Sequence, residues 1–465
     1  MKIICIIILQ ISTYSSQLNT IISQYLGNSS TENVNVSMSV RKIGSGEEIY
    51  AYQSKMALPP ASTLKLLTTG TALDILGSDH TFKTQILRNG TIENNALDGD
   101  LVITSNGDFS FGSIRLGLNS LKEIVDVLKS KNIKKITGKI EIEENQHFDI
   151  PSEWLMGDLG NYYGAHPKQF NYNENFYTVY FNGGENIGDS ATVSGIFPNS
   201  ESWKIENLVK TAEKGSGDQV NIVNLAPSNE IVLTGTVPQR SVNFEVKGST
   251  PNINEVFIGL VKNECLKNGI EIQGNEMQVN LRNDTLAVLN SPPLSIIAEH
   301  CNFRSVNFFA DGISNFLKSM ASDSVENYDD FLKSYWKTRG LNLSNFKFLD
   351  GSGLSPLNTL STQAMTSFLS KMYSSPQFGS FLKTIPRVGK TGTVVSLDPK
   401  GITDGRIYAK SGSISGTRNY AGYFLDEKNE IYAFCIFLNG FNDTAQLFSR
   451  QLLQNLMFKM IDLNQ

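Results

Sequence analysis

The stretch Ser62-Thr63-Leu64-Lys65 opens a segment, residues 61–76, in which apolar side chains recur at helical spacing. Two prolines stand just before this segment and Gly77 just after it, an arrangement typical of a helix. A serine at a helix start lies near unpaired backbone N–H groups and the positive end of the helix dipole. A lysine three residues on shares its face, and where it is partly removed from water its lowered pKa lets it take the serine proton. Ser62 and Lys65 are therefore candidates for a nucleophile and its base, although a capping serine beside a surface lysine gives the same pattern.

Two further motifs carry polar groups of the same kind. Ser305-Val306-Asn307 opens another predicted helix, where the serine can relay a proton and the asparagine can both donate and accept hydrogen bonds. Helix capping alone would use the same residues. Lys410-Ser411-Gly412-Ser413 ends a predicted strand, whose edge offers backbone N–H groups to an extended peptide or an oxyanion. We expect Gly412 to allow close approach of a substrate, and Lys410 with the Ser411 hydroxyl to hold a carboxylate.

A competing match to the third motif lies at Lys390-Thr391-Gly392-Thr393. A loop, residues 398–401, follows it, whereas the residues after Ser413 lead directly into the next predicted strand. Because the motif should lie on a strand inside a sheet, we assign it to Lys410. The competing stretch also hints at a phosphate-binding loop, but Thr384 stands where that loop needs glycine.

Composition excludes several classes of protein. The chain has 465 residues, and 40 basic against 45 acidic side chains give a net charge of −5. Nucleic-acid binding would show a basic stripe or a high pI, and the near balance of charge also argues against binding to anionic membranes. Cysteines are few and without C-x-x-C spacing, and no two histidines form an H-x-x-x-H pair, so we expect neither a metal nor a cofactor.

The first residues predict export. Lys2 is followed by an apolar run, residues 3–9, and then by a polar stretch, residues 12–16, which is typical of a signal peptide over residues 1–16. The run is too short to span a bilayer, and no later segment is long and apolar enough to do so. An ordinary first strand remains the alternative for this run.

The remaining pattern predicts an α+β protein. Strand-like segments near both chain ends, with a helical middle and a final amphipathic helix, indicate an antiparallel sheet with helices, assembled over residues 17–87 and 246–465. Between them, residues 88–245 are rich in short strand-like runs and turns, which predicts a large, mostly β insertion that could form two lobes. The length, at roughly 150 residues per domain, is in keeping with about three domains.

The three motifs in this order, each in the expected local structure, resemble the set found in serine enzymes that react with penicillin. The chain is similar to the class C low-molecular-mass penicillin-binding proteins, the D-alanyl-D-alanine carboxypeptidase/endopeptidases. The stretch Asp350-Gly351-Ser352-Gly353-Leu354-Ser355, the segment 389–394 and the long insertion between Ser62 and Ser305 also resemble that family. This resemblance implies a serine β-lactamase/transpeptidase-like catalytic domain.

The resemblance also implies roles for the motif residues. Ser62 would be the acylated nucleophile and Lys65 its base, with Ser305 relaying protons and Asn307 orienting the lysine and the substrate amide. In the third motif, Lys410 and the Ser411 hydroxyl would hold the terminal carboxylate of the substrate. The backbone N–H groups of Ser62 and Ser413 would form the oxyanion hole.

Two departures and one addition qualify this comparison. Ser411 replaces a more usual threonine but keeps the hydroxyl, and Asp311 stands where the family usually has glutamate. Within the insertion, Asp158 and Tyr163 fall where family members can contact the amine-bearing side chain of a peptide stem. A carboxylate facing an ammonium makes physical sense there, although an ordinary loop acid and a packed aromatic residue fit equally well.

The function implied is that of a periplasmic serine DD-peptidase. It would cleave D-Ala-D-Ala ends, or the cross-links of peptidoglycan stem peptides, and be inhibited by β-lactams through Ser62. A β-lactamase and a non-catalytic peptidoglycan-binding protein of the same fold are the alternatives. The large insertion argues against the first, and the complete set of motif residues argues against the second.

Overall fold

The structure is a computed structural model. It describes residues 2–145, 150–224, 229–275, 284–321 and 327–462, with only the backbone described for residues 2–12.

The helices of the described chain are numbered in chain order. Their bounds are α1 Lys2–Leu26, α2 Leu64–Leu76, α3 Ser120–Ser130, α4 Met156–Leu159, α5 Ile253–Lys267, α6 Leu294–Arg304, α7 Asn307–Ser319, α8 Tyr328–Thr338, α9 Thr362–Tyr373, α10 Phe378–Lys383 and α11 Gln446–Met460. Single 3₁₀ turns lie at Ala61–Thr63, Ile114–Leu116, Tyr162–Gly164, Asn173–Asn175, Gly392–Leu397 and Asp443–Ala445.

The strands are numbered in the same way. Their bounds are β1 Asn35–Lys42, β2 Glu48–Tyr52, β3 Lys83–Glu93, β4 Ala96–Ser105, β5 Lys135–Ile136, β6 Ile140–Glu143, β7 Phe176–Asn182, β8 Thr192–Phe197, β9 Lys204–Asn207, β10 Lys210–Ala212, β11 Gln219–Asn224, β12 Glu230–Pro238, β13 Phe244–Ser249, β14 Glu271–Ile272, β15 Asp284–Asn290, β16 Ile407–Ile414, β17 Thr417–Leu425 and β18 Ile431–Asn439.

By its internal contacts the chain divides into two compact units. The first combines Met1–His80 with Pro293–Gln465, and the second is Thr81–Pro292. The first unit therefore uses both ends of the chain, while the second is a continuous insertion. Its mixture of helices with an antiparallel sheet, and the mostly β character of the insertion, confirm the predicted α+β class.

The inserted unit is longer than the predicted stretch, residues 88–245. On the N-terminal side it includes the start of β3, and on the C-terminal side it includes α5 and β15. The reason is that β15 pairs with β3, and α5 contributes Phe257 and Val261 to the same core as α3. The predicted parts over 17–87 and 246–465 therefore each contain some residues of the inserted unit.

The sheet of the first unit has five strands in the order β16-β17-β18-β1-β2, all antiparallel to their neighbours. Strand β1 places Met38 opposite Ile436 of β18, so the two ends of the chain meet in the middle of the sheet. Strand β16, which carries the third motif, forms one edge, so the expectation of a strand inside the sheet is wrong: β17 pairs with it on one side only. The first and third motifs are therefore brought into one unit by the pairing of the chain ends.

Both faces of this sheet are covered, and the sequence of β1 explains how. Val36, Met38 and Val40 alternate with serines because successive side chains of a strand point to opposite faces. The apolar residues join the core that α1 and α11 complete. Ser37 and Ser39 face α9, with hydrogen bonds of 2.8 and 2.9 Å to threonine hydroxyls of that helix.

Helix α2 is buried on all sides. Each residue from Leu64 to Leu73 is buried, including Lys65 and a run of threonines. A helix that is buried all round lies in the core of its unit, and α2 packs against α6, α7, α9 and α10. At Gly70 an added Cβ would lie 2.7 Å from the ring of Phe368, so the packing here needs glycine. The central helix thus carries Lys65 deep into the protein.

The inserted unit contains two separate buried cores. One lies on the sheet β14-β5-β4-β3-β15, with β6 beside β4, and is covered by α3 and α5. The other lies between the sheet β10-β12-β11, with β9 beside β12, and the sheet β13-β7-β8.

Helix α1 runs without a break through the predicted signal-peptide boundary at residue 16. From Tyr14 onward its described side chains contribute to the core of the first unit: Tyr14, Leu18 and Ile22 are buried there. Tyr14 also packs edge-on against Tyr50, with 6.4 Å between the ring centroids. Within the part of the chain whose side chains the structure describes, no helix is long and apolar enough to cross a membrane.

Candidate active site

Ser62 lies in the single 3₁₀ turn that leads into α2, and its side chain is partly exposed. The backbone before it is held tightly: Ala61 has a positive φ of 47°, and the Thr63 hydroxyl donates to the carbonyl of Pro60 over 2.6 Å. Gly353, at φ +79°, packs against this turn, where an added Cβ would collide with the carbonyl of Ala61. The turn therefore presents Ser62 in a fixed orientation.

Lys65 lies one helical turn further on, fully buried. Its Nζ is 2.8 Å from Ser62 Oγ, 2.7 Å from Asn307 Oδ1 and 2.7 Å from the carbonyl oxygen of Ser352. An ammonium has three N–H donors and no acceptor, so these contacts use its full capacity. As a neutral amine the same nitrogen could accept the Ser62 proton.

The environment of Lys65 lowers its pKa. Burial lowers its pKa, because removal from water penalises the charged form, while the nearby carboxyl groups of Asp311 and Asp350 act in the opposite direction. A lysine with a lowered pKa beside a serine hydroxyl is the arrangement that general-base activation of a nucleophile requires.

The second motif lies where α6 ends and α7 begins. Ser305 caps α6 in the left-handed region, with φ 56° and ψ 40°, and Asn307 is the first residue of α7. A left-handed serine is strained by about 1–3 kcal/mol and persists only where its surroundings hold it. Here the hydroxyl accepts a 2.9 Å hydrogen bond from Lys410 Nζ, and the asparagine oxygen accepts from Lys65. The motif thus joins the two buried lysines.

Lys410 lies on β16 and is fully buried. Besides Ser305 its Nζ donates to the carbonyl of Ser411 over 2.7 Å. Burial, and then the charge of Lys65, hold the pKa of Lys410 well below its usual range. The incoming negative charge of a carboxylate would favour the protonated form of this lysine.

The competing motif contributes a hydroxyl without replacing the third motif. Lys390 is exposed and lies 3.9 Å from Asp404, away from the buried lysines, so the assignment of the motif lysine to Lys410 agrees with the geometry. Thr393, from the same stretch, is hydrogen-bonded through Oγ1 to Ser411 Oγ at 2.7 Å. Thr393 was not predicted from the sequence, because the competing motif that contains it was rejected as a whole.

Gly412 admits the turn that carries Ser62, a contact that the sequence did not predict. An added Cβ would lie 2.9 Å from the Pro60 carbonyl and 3.0 Å from the Ser62 nitrogen. Ser413, the next residue on the strand, is exposed and lies opposite Arg418 in the register of β16 and β17. The glycine therefore brings the edge strand against the serine turn.

The loop at residues 350–355 belongs to the same site. Its Ser352 carbonyl is an acceptor for Lys65, and the Asp350 carboxylate accepts from the N–H groups of Gly353 and Ser355 at 2.6 and 2.7 Å. The sequence pointed to this stretch only through the family resemblance, and it did not predict that the Ser352 carbonyl would accept from Lys65. The one signal in the stretch was the two glycines that follow an aspartate, a composition typical of a turn.

Asp158 and Tyr163 lie in the inserted unit. The Tyr163 hydroxyl donates a hydrogen bond to the Asp158 carboxylate. Burial raises the pKa of Asp158 despite this bond, and burial together with the carboxylate raises the pKa of Tyr163 to about 12. The pair is a preformed carboxylate–phenol couple on the short segment around α4.

Within the described residues no group of three or more histidine, cysteine or carboxylate side chains is placed to hold a metal ion. Cys265, Cys301 and Cys435 are buried thiols with no disulfide. The side chains joined by hydrogen bonds around Ser62 are Lys65, Asn307, Ser305 and Lys410.

A serine and a buried lysine, joined to a second serine, an asparagine and a strand-borne lysine, define a penicillin-interacting serine hydrolase. The model of the D-Ala-D-Ala carboxypeptidase 3 (S13) family matches residues 18–457, and the chain belongs to this family of serine hydrolases. The predicted relationship to the class C penicillin-binding proteins is thereby confirmed.

Known proteins agree with this placement. The chain is 25% identical over 426 residues to the D-alanyl-D-alanine carboxypeptidase DacB of Haemophilus influenzae, covering 88% of this chain and 86% of that protein. The crystal structure of penicillin binding protein 4 from the same organism matches with a TM-score of 0.77 at 23% identity, over 95% of this chain and 99% of that one. A second structure of that protein, in complex with a β-lactam, matches with a TM-score of 0.75 at 23% identity, over the same shares of both chains.

Proposed function

We propose that this chain is an exported serine DD-peptidase that acts on the stem peptides of peptidoglycan through an acyl-enzyme on Ser62. The observation that carries the proposal is the 2.8 Å contact between Ser62 Oγ and the Nζ of Lys65, a fully buried lysine whose pKa burial lowers. Family membership supports the D-Ala-D-Ala end as the substrate.

In the first step, neutral Lys65 takes the Ser62 proton while Oγ attacks the carbonyl carbon of the penultimate D-Ala. The C–N bond to the last residue then breaks, and the proton that Lys65 took passes through the Ser305 hydroxyl to the leaving nitrogen, which departs as an amine and leaves Lys65 neutral. In the second step, water gives a proton to Lys65 while its oxygen attacks the ester. The ester C–O bond then breaks and Lys65 returns this proton to Ser62 Oγ, which releases the shortened peptide and restores Ser62. An endopeptidase reaction follows the same path with a cross-linked amine as the leaving group.

Binding of the terminal carboxylate is assigned to Lys410 and Ser411, with Thr393 holding the Ser411 hydroxyl. The backbone N–H groups of Ser62 and Ser413 would stabilise the oxyanion, and one such donor contributes about 3–4 kcal/mol to the transition state. The strand edge of β16 supports this role, since an extended peptide can lie along it.

The Asp158–Tyr163 pair is proposed to bind the amine-bearing side chain of the stem. A carboxylate already held by a phenol hydroxyl offers a charge-assisted hydrogen bond to an ammonium. Export to the periplasm is proposed from the apolar run that follows Lys2. The continuous helix α1 and the buried Tyr14 favour a cut on the N-terminal side of residue 14 over one at residue 16.

Labelling with a fluorescent penicillin tests the acyl-enzyme. Wild-type protein should take up the label covalently, and the Ser62→Ala variant should not. Equal labelling of the two would remove Ser62 from its proposed role. Rapid hydrolysis of the penicillin would point to a β-lactamase, and binding of muropeptides without release of D-Ala would point to a non-catalytic binding protein. Digestion of purified cross-linked peptidoglycan, with products identified by mass, separates carboxypeptidase from endopeptidase activity.

A further inference from the structure

Two helices contact the loop at residues 350–355. On α2, Lys65 and Thr68 are three positions apart, and on α7, Asn307 and Asp311 are four positions apart. Residues at these spacings lie on one face of a helix. Each helix therefore presents one residue to the Ser62 site and a second residue, one turn further along, to the loop.

The loop is held at consecutive backbone groups. Lys65 Nζ donates to the Ser352 carbonyl at 2.7 Å, and the Thr68 hydroxyl donates to the Gly351 carbonyl at 2.7 Å. From the other helix, Asp311 Oδ1 accepts from the Gly351 N–H at 3.0 Å. The acceptor of Lys65 is therefore one residue away from the amide that Asp311 holds.

The loop also presses directly on α7. An added Cβ at Gly351 would collide with the Ala310 carbonyl and would lie 2.8 Å from Ser314 Oγ. Asp311 itself is 3% exposed, so its contact with Gly351 is not replaced by bulk water. Moving the Gly351 N–H away from Asp311 would shift the Gly351 carbonyl, which Thr68 holds, and with it the Ser352 carbonyl of the following residue.

We propose that Asp311 is a positioning residue for Lys65, acting through the Gly351 amide to fix the Ser352 carbonyl as the third acceptor of the lysine ammonium. This inference rests on the proposed role of Lys65 as the base that activates Ser62.

Several titratable groups face Asp311: Lys65 of α2, Asp350 of the loop, Cys301 of α6 and Tyr328 of α8. Burial, and then the neighbouring Asp350, raise the pKa of Asp311 well above its usual range, which favours the uncharged acid. The amide of asparagine is the closest substitute for that form, because its oxygen can still accept from Gly351.

The experiment measures the rate constant for acylation by a fluorescent penicillin as a function of pH. Asp311→Leu enlarges the side chain and Asp311→Ala shortens it, but both remove the acceptor, so whichever folds serves the test. We expect acylation to fall about 10- to 100-fold, as for a base displaced from its working position. The acid limb of the profile should also move to lower pH, because Lys65 loses an acceptor that stabilises its ammonium.

Two further variants make the result specific. Asp311→Asn should stay within about threefold of wild type with its acid limb in place, since the acceptor remains. Ser314→Ala, one turn further along α7, removes a hydroxyl from the same packed face without touching the Gly351 amide and should leave the profile unchanged.

An unchanged rate and acid limb in the variants without an acceptor would overturn the proposal, as would an equal loss in Asp311→Asn. A lowered melting temperature with an unmoved acid limb would show a merely structural role. Wild-type protein that takes no penicillin would instead refute the proposed function, which is a separate outcome.

Discussion

Lys65 Nζ donates a 2.7 Å hydrogen bond to Oδ1 of Asn307, a residue 242 positions away in the sequence. The bond connects the central helix to the first turn of α7, and it leaves the lysine 2.8 Å from Ser62 Oγ. A long insertion therefore separates in sequence two residues that the fold brings into contact.

Replacing the buried lysine should abolish activation of Ser62. Lys65→Met keeps most of the side-chain volume but has no group that can take the serine proton. General-base catalysis contributes about 10²- to 10⁴-fold, so acylation by penicillin should fall by that order, measured in stopped-flow or timed labelling. Lys390→Met changes an exposed lysine of the competing motif and should acylate at the wild-type rate. Equal losses in the two variants would contradict the assignment.

The depressed pKa of Lys410 predicts a dependence of stability on pH. Burial disfavours its charged form in the folded protein, so below its unfolded pKa the unfolded chain binds more protons at this site. Stability therefore rises with pH until the unfolded lysine has also lost its proton. The melting temperature of wild type relative to Lys410→Met should increase from about pH 7 to about pH 10. A constant or falling difference would show that Lys410 is not held in the neutral form.

Loss of the Ser411 hydroxyl should affect the reaction with substrate rather than the folding of the protein. A hydrogen bond to a charged group contributes about 1.5–3 kcal/mol, so Ser411→Ala should lower kcat/KM for a D-Ala-D-Ala peptide roughly 10- to 100-fold. Ser411→Thr keeps the hydroxyl and should stay close to wild type. Ser415→Ala, at an exposed position beyond the strand, serves as the control. A variant without the hydroxyl that kept full kcat/KM would exclude Ser411 from carboxylate binding.

A methyl group at position 412 should disturb the nucleophile. Gly412→Ala would place Cβ 2.9 Å from the Pro60 carbonyl and the Thr63 nitrogen, and backbone atoms can give way only at a cost of about 1–3 kcal/mol. Penicillin acylation and the melting temperature should both fall. Gly259→Ala adds the same methyl group to helix α5, where no atom lies within 4 Å, and should stabilise that helix by about 0.5–1 kcal/mol. Normal acylation by Gly412→Ala would show that the serine turn tolerates displacement.

Spacing along the chain was enough to predict the groups that lie on one local element. Ser62 and Lys65 share a helical turn, and Lys410 and Ser411 share a strand, so the pattern of each motif already placed them together. The contact between Lys65 and Asn307 was implied only by resemblance, because nothing in the sequence of either helix specifies its partner.

The parts that the sequence did not predict have physical reasons. The Ser352 carbonyl is a backbone group, which every residue has, so no side chain marks it as the acceptor of Lys65. The contact of Gly412 with the Ser62 turn was not predicted, since a glycine on a strand edge does not reveal which neighbour it admits. The end of the insertion was missed because β15, Asp284–Asn290, has no buried residue and shows no alternation typical of a half-buried strand.

The central claim, that Ser62 is the nucleophile that Lys65 activates, is tested most directly by mapping a covalent adduct. Intact protein is treated with benzylpenicillin, and its mass is measured before and after proteolysis into peptides. We predict a single penicilloyl adduct on the peptide that contains Ser62, and none on that peptide in Lys65→Met over the same time. An adduct on another serine, or no adduct on folded wild-type protein, would contradict the account.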